Sequence, residues 1–320
     1  MLADVLRRVL PRLAAPEAVF AFGQDWGFSG SGTAMLFRSD DGGENWYRLS
    51  PNPLDDSIGT TRRALYFHEL GMFVAGHDFG NVSYSHDGES WSVHYGLLSD
   101  NDQNGFAYSP SLGRFVVSGY EGEVFYSDDQ LQNFTEVSNP DVARTYGMAY
   151  SEVAGVFVAV ANESADSSDG TSWTDRGQIG SGTSAHWDAV WVPWLERFVV
   201  PGSSGRIFTS PDGVSWTQQS VPVSTRLFGV AASDDLVVAV NSDTGDALTS
   251  EDGENWTVRS ISGPSSLVRV VYSWEHQRFI AAGYNSSDGM VVYSDDGISW
   301  SAGAGSDLSD SERITAVAAA

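Results

Sequence analysis

The sequence predicts an all-β fold: a seven-bladed β-propeller of four-stranded antiparallel blades. Three observations predict it. One short turn recurs seven times, short apolar runs recur between the turns, and the two ends of the chain carry complementary parts of one repeat. The turns span residues 39–46, 85–91, 127–134, 167–173, 210–216, 250–256 and 294–300. Their closing aromatics, from Trp46 to Trp300, fall 45, 43, 39, 43, 40 and 44 residues apart. A period near forty with one closing aromatic per repeat marks propeller blades rather than a doubly wound sheet.

Within a repeat, four apolar stretches, A to D, are separated by turns rich in Gly, Asp and Ser. Strand A is expected at 63–67, 105–109, 146–151, 187–192, 227–232 and 267–273. Strand B opens as Met72-Phe-Val-Ala-Gly, Arg114-Phe-Val-Val, Val156-Phe-Val-Ala, Arg197-Phe-Val-Val and Arg278-Phe-Ile-Ala. Strand C closes on an apolar pair and a serine, as at 291–294, and leads into the Asp turn. The first repeat starts at strand B (Ala18-Val-Phe-Ala-Phe), whereas residues 314–320 match a lone strand A. Pairing these two segments closes a ring of seven and removes the open sheet edges.

Residues 17–320 therefore form one propeller, and residues 1–16 a short N-terminal helix or tether. Leu2, Val5, Leu6, Val9 and Leu10 mark one face of that helix, which Pro11 should end or kink. Arg7, Arg8 and Arg12 interrupt its apolar residues, unlike a signal peptide. No 18-residue apolar run is present, so no membrane insertion is expected.

Composition narrows the chemistry. The 320 residues contain no Cys, and all 17 cationic side chains are Arg. Zinc–thiolate sites, Schiff-base lysines and a Walker A loop are thereby excluded. A formal charge of −25 opposes binding to nucleic acid or to anionic membranes.

Each turn has a physical logic. Its Ser and Asp accept backbone N–H bonds, Gly supplies a positive φ, and the aromatic fills the gap between adjacent sheets. These units resemble Asp-box repeats, also called bacterial neuraminidase repeats, whose pattern is Ser-x-Asp-x-Gly-x-Thr-Trp; Asn45 stands in place of the Thr in residues 39–46. Residues 39–46 keep the full length of the family pattern, most other copies are one residue shorter, and Asp129-Gln130 lacks the Gly. The resemblance implies that Asp41, Asp87, Asp129, Asp169, Asp212, Asp252 and Asp296 are structural. They would sit at the C–D turns, away from the ligand face.

That face is formed by the B–C and D–A loops around the axis. Arginines gather where the chain enters strand A: Arg62, Arg63, Arg144, Arg226, Arg269 and Arg313, with His186 and Trp187 in the equivalent place of the fifth blade. This collar could focus anionic ligands at the channel mouth. Alternatively, the arginines pair with Asp and Glu of neighbouring D–A loops and seal the channel. Trp26, Tyr120 and Tyr284 on the B–C loops complete the candidate ligand-binding set.

No catalytic residue is assigned. The sialidase branch of the resembling family carries an Arg-Ile-Pro signature and is normally six-bladed, and this chain has neither feature. No metal ligand set is assigned and no cofactor is expected. Calcium is the one ion with partial loops, at Asp166–Asp169 and Asp243–Asp246, and both lack the closing Glu.

The repeats also resemble propellers of tail and fibre proteins of prokaryotic viruses and of bacterial surface proteins. By that resemblance the expectation is a non-enzymatic recognition module at a virion or cell surface. Its loop face would bind a host-surface glycan or protein, and its N-terminal helix would join further subunits or a homo-oligomer. The alternatives are a sialidase-like glycoside hydrolase acting on acidic sugars and an assembly scaffold.

Overall fold

The computed structural model describes residues 17–25, 33–54, 56–99, 105–138, 141–142, 144–180, 185–286, 288–305, 308, 311 and 313–320. They form seven four-stranded sheets, each in the spatial order A-B-C-D with antiparallel neighbours. Blade 1 takes its strand A from the C-terminus: Arg313–Ala319 pairs with strand B, Val19–Asp25. The expected closure is thus the observed one. The expected helix in residues 1–16 lies outside the described residues.

The seam is pinned beyond its ladder. Ser311 Oγ accepts the Gln24 N–H at 2.9 Å and donates to the Arg313 carbonyl at 2.7 Å. The Ala320 carbonyl accepts Ser273 Oγ at 2.8 Å, which ties the chain end to blade 7. On the outer side, Trp46 N donates to Ala304 O and Ala304 N to Glu44 O, joining the blade 1 turn to blade 7.

The core is a set of seven layers, one between each pair of adjacent blades. B strands are buried on both faces, and they accordingly read as continuous apolar runs such as Val156–Val160. Each closing aromatic packs on the preceding blade, as Trp173 does on Val116 and Val124. The turn glycine makes the same contact at closer range. A Cβ on Gly88 (φ +72°) would lie 2.0 Å from Phe20 of blade 1, so only Gly fits.

The turns bond as their residues predict. In 167–173, Asp169 Oδ1 accepts the Thr171 and Ser172 N–H groups at 2.8 and 2.7 Å. Ser167 Oγ takes the Gly170 N–H, and the Trp173 indole donates to Gly170 O. The degenerate turn 127–134 keeps the serine and aspartate bonds without glycine, and its Phe134 has no indole to donate. Gln130 (φ 58°) and Leu131 (φ 65°) occupy the two left-handed positions that Gly42 and Gly43 fill in 39–46. It belongs to the same eight-residue form.

Strand A of blade 5 is shorter than expected, Val190–Val192. Its partner strand B, Arg197–Gly202, contains Pro201, which has no N–H to give. Above Val190 only an isolated His186–Gly202 bridge remains. Residues 188–189, between that bridge and the ladder, can turn toward the axis.

Candidate functional site

The A strands of neighbouring blades contact one another from blade 3 round to blade 2, so their entries crowd about the axis. A β-bulge recurs there. In blade 2 (strand A Thr61–Phe67) it falls between Thr61 and Arg63, in blade 6 (Leu227–Ala232) between Leu227 and Gly229, and in blade 7 (Ser266–Ser273) between Leu267 and Arg269. The bulge turns successive residues toward different surroundings. In blade 2 it separates Arg62 from Arg63, and the collar arginines as a whole fall into three kinds.

Arg63 and Arg269 point inward and are buried, 3 % and 6 % exposed. Arg63 Nη2 meets Asp188 Oδ1 at 2.5 Å, an ion pair that joins blade 2 to blade 5. Arg269 donates to the carbonyls of Val268 and Arg62 at 3.0 and 2.9 Å. Burial, and then the neighbouring Arg63 charge, lower its pKa to about 10. Neither side chain can reach a macromolecular ligand.

Arg62 and Arg226 pair with the B–C loop of their own blade. Arg62 Nε bonds Asp78 Oδ1 at 2.6 Å, and Arg226 Nη2 bonds Asp243 Oδ1 at 2.9 Å. Burial raises the Asp243 pKa, but hydrogen bonds from Arg226 outweigh it and hold the carboxyl below its usual value. The carboxylates come from B–C loops, not the D–A loops considered from sequence.

Arg144 and Arg313 are exposed and stack on a tyrosine of the preceding blade. The guanidinium carbon of Arg144 lies 4.6 Å from the Tyr120 ring centre, and that of Arg313 4.6 Å from Tyr284. Among the described residues neither forms an ion pair.

The Arg144 stack begins a longer arc. Tyr120 packs on Tyr146 at 5.8 Å, Tyr146 stacks on Trp187 at 4.8 Å, and Trp187 stacks on Phe228 at 4.9 Å. Phe228 in turn lies under Arg269, with 4.9 Å from guanidinium carbon to ring centre. The four rings cross blades 3 to 6 on the B–C/D–A face, with Tyr120, Trp187 and Phe228 partly exposed. A depression beside Arg144 is lined by Ala161, Asn162 and Glu163. His186 lies beneath, fully buried edge-on to Phe208, and burial lowers its pKa to about 4. Its ring nitrogens make no well-formed hydrogen bond among the described residues, the Ile179 backbone being the polar neighbour.

On the B–C connection of blade 2, which adjoins blade 3, Phe79 is 52 % exposed with a left-handed backbone (φ 60°), next to the Asp78 that holds Arg62. Trp26 lies outside the described residues. The partial calcium loops are otherwise engaged: Asp166 bonds Arg176, Asp169 its own turn, Asp243 Arg226, and Asp246 accepts Thr244 Oγ1. Among the described residues no group of three or more His, Asp or Glu could hold a metal.

No family model matches the chain, and no curated protein matches it. Solved structures do. A chain described as YCF48 bound to a D1 peptide is 17 % identical, with TM-score 0.59, covering 84 % of this chain and 91 % of that one. A protein from Lactobacillus plantarum is 12 % identical, with TM-score 0.68, covering 94 % and 98 %. A chain of a nidogen/laminin complex is 8 % identical, with TM-score 0.52, covering 94 % and 97 %. At these identities the likeness is one of fold: a seven-bladed β-propeller.

Two residues of the site were not singled out from sequence, Asp188 and Phe228. A signal existed. Arg63, Asp188 and Arg269 take the strand A position that is Gly105, Gly147 and Gly229 in other blades. A charge in place of Gly, at the tightest part of the ring, marks a residue with a partner across the axis.

Proposed function

We propose that this chain is a non-catalytic recognition propeller that binds a protein partner through its B–C/D–A face. The observation that carries the reading is the arc Arg144–Tyr120–Tyr146–Trp187–Phe228. Rigid aromatic rings beside an arginine that forms no ion pair among the described residues have the composition of an interface hot spot. The exposed Phe79 of the neighbouring blade 2, held in a left-handed backbone, adds an apolar contact on the same face. The ligand that fits is a peptide segment with a carboxylate beside an apolar side chain. The guanidinium of Arg144 suits the carboxylate, and the partly exposed rings of Tyr120, Trp187 and Phe228 suit the apolar side chain.

Two proteins of similar fold are YCF48 bound to a D1 peptide and a chain of a nidogen/laminin complex, which supports a protein partner. The turn network supports the Asp-box reading, in which the seven aspartates build blades and leave the opposite face for ligands. A virion or cell surface is the setting that the resemblance to tail and surface propellers favours. The test is selection of a displayed peptide library against the purified protein, alongside a glycan array and a sialoside hydrolysis assay. Acidic–aromatic peptides whose binding falls at least tenfold in Arg144→Ala and Tyr120→Ala support the proposal. Glycan binding or sialoside hydrolysis lost in the same variants, without peptide binding, overturns it.

A further inference from the structure

The three charges at the axis do not balance. Arg63 and Arg269 bring two positive charges to a region where Asp188 supplies one negative charge. The Asp188 carboxylate is already engaged at both oxygens. Oδ1 accepts Arg63 Nη2 and the Ala189 N–H, and Oδ2 accepts the Val230 N–H at 3.2 Å. Arg269 spends Nη1 and Nη2 on backbone carbonyls. Arg63 Nε, Arg63 Nη1 and Arg269 Nε remain buried without a hydrogen-bond acceptor among the described residues. Both side chains are more than nine-tenths buried, and a guanidinium cannot shed its proton to relieve the charge.

Buried charges persist where they are paired and hydrogen-bonded. Three unpartnered donors and one surplus positive charge call for an acceptor that is itself negative. Water can accept the hydrogen bonds but leaves the charge. We propose that the axis of this propeller is a binding site for one small monovalent anion, held by Arg63 and Arg269 and balanced against Asp188, with chloride as its ordinary occupant. The enclosure sets the class. Side chains this buried leave no path for a sugar or a peptide, and a divalent anion would reverse the imbalance instead of removing it. Burial, and then the Arg63 charge, lower the pKa of Arg269, and the Asp188 charge does not offset them. The Phe228 face against Arg269 makes the anion part of the wall behind the aromatic arc.

The probe is bromide. Crystals grown or soaked in sodium bromide should show an anomalous peak within hydrogen-bond distance of Arg63 Nε, Arg63 Nη1 and Arg269 Nε. In solution, sodium bromide is exchanged for sodium gluconate at constant ionic strength, so that screening of the acidic surface stays fixed. Above the dissociation constant, the folding equilibrium constant should rise about tenfold per tenfold rise in bromide, the dependence of a single site. Arg269→Gln should flatten that dependence. The proposal is overturned if no anomalous peak lies at the axis, or if the wild-type bromide and gluconate curves coincide. The anomalous map uses the unaltered chain, so it decides the matter even if Arg269→Gln does not fold.

Discussion

Arg63 of blade 2 and Asp188 of blade 5 meet across the axis, 125 residues apart in the chain and 2.5 Å apart between Nη2 and Oδ1. Asp188 also accepts the Val230 N–H of blade 6, so one carboxylate links three blades. Removing one partner leaves a charge buried without its counterpart, which costs about 3–5 kcal/mol. Asp188→Ala should lose this amount in urea denaturation at pH 7. The double variant Arg63→Met/Asp188→Leu should recover most of it, because neither charge is then stranded. Equal losses in both would show that the pair acts through shape alone.

The ring should also depend on its closing strand. Ile314, Ala316, Val317, Ala318 and Ala319 are buried in the layers that blade 1 shares with blades 2 and 7. The segment completes the ladder of Val19–Asp25, whose edge would otherwise be open. Burial of Ile314 and Val317 alone contributes about 1.5–3 kcal/mol each. Truncation after Arg313 should abolish the single cooperative thermal transition and give concentration-dependent association in size-exclusion chromatography. A truncated chain that melts in one sharp step as a monomer would contradict this.

Much of this architecture was legible in the sequence, and the reason is local. The Asp turn is a self-contained hydrogen-bonded unit, so its residues report their own structure wherever they recur. The closing strand could be read because 314–320 copies strand A. The collar was legible as a cluster but not in its roles. Arg62 and Arg63 are neighbours in the chain, yet the bulge sends one to Asp78 at the rim and the other to Asp188 at the axis. Only the ring decides which blade lies opposite, and no periodicity records it. The short strand A of blade 5 was missed for a different reason: the cause is Pro201 in the neighbouring strand, not a residue of the strand itself.

Stability should fall in acid in two stages. His77, between Thr61 Oγ1 and Ser83 Oγ, is pushed down to about 3 by burial, and His186 to about 4. Both are neutral when folded, whereas in the unfolded chain they take a proton near 6.5. Their contribution is therefore complete above pH 6.5 and declines as pH falls below it, by about 1.4 kcal/mol per pH unit for each histidine. The seven turn aspartates act lower. Burial raises most of them but the turn hydrogen bonds outweigh it, and in Asp129 and Asp252 those bonds lead. Their stabilisation is present above the ordinary value of 3.8 and is lost as pH falls through the lower folded values. Urea midpoints at pH 7, 5.5 and 4.5 measure the first stage. His186→Leu, which removes a ring lacking a well-formed hydrogen bond among the described residues, should reduce the slope between pH 6.5 and 4.5 by about half. An unchanged slope would remove His186 from the account.

The degenerate turn offers a stabilising change. Gln130 is exposed and held at φ 58°, where Gly42 stands in the equivalent turn of blade 1 at φ 71°. The neighbouring Leu131 cannot be exchanged as freely, because it is fully buried between blades 2 and 3. A left-handed backbone costs a non-Gly residue about 1–2 kcal/mol, against which Gly gives up about 0.5–1 kcal/mol of chain entropy on folding. Gln130→Gly removes only an exposed side chain, and the Asp129 bonds to Ser127 and Asn133 do not pass through residue 130. The net gain should be about 0.5–1 kcal/mol, read as a raised urea midpoint with an unchanged slope. Gln130→Val should move the midpoint the other way, because a β-branched residue tolerates the left-handed region least. If both substitutions are neutral, the turn relaxes out of its left-handed geometry at no cost, and the serine and aspartate bonds alone hold it.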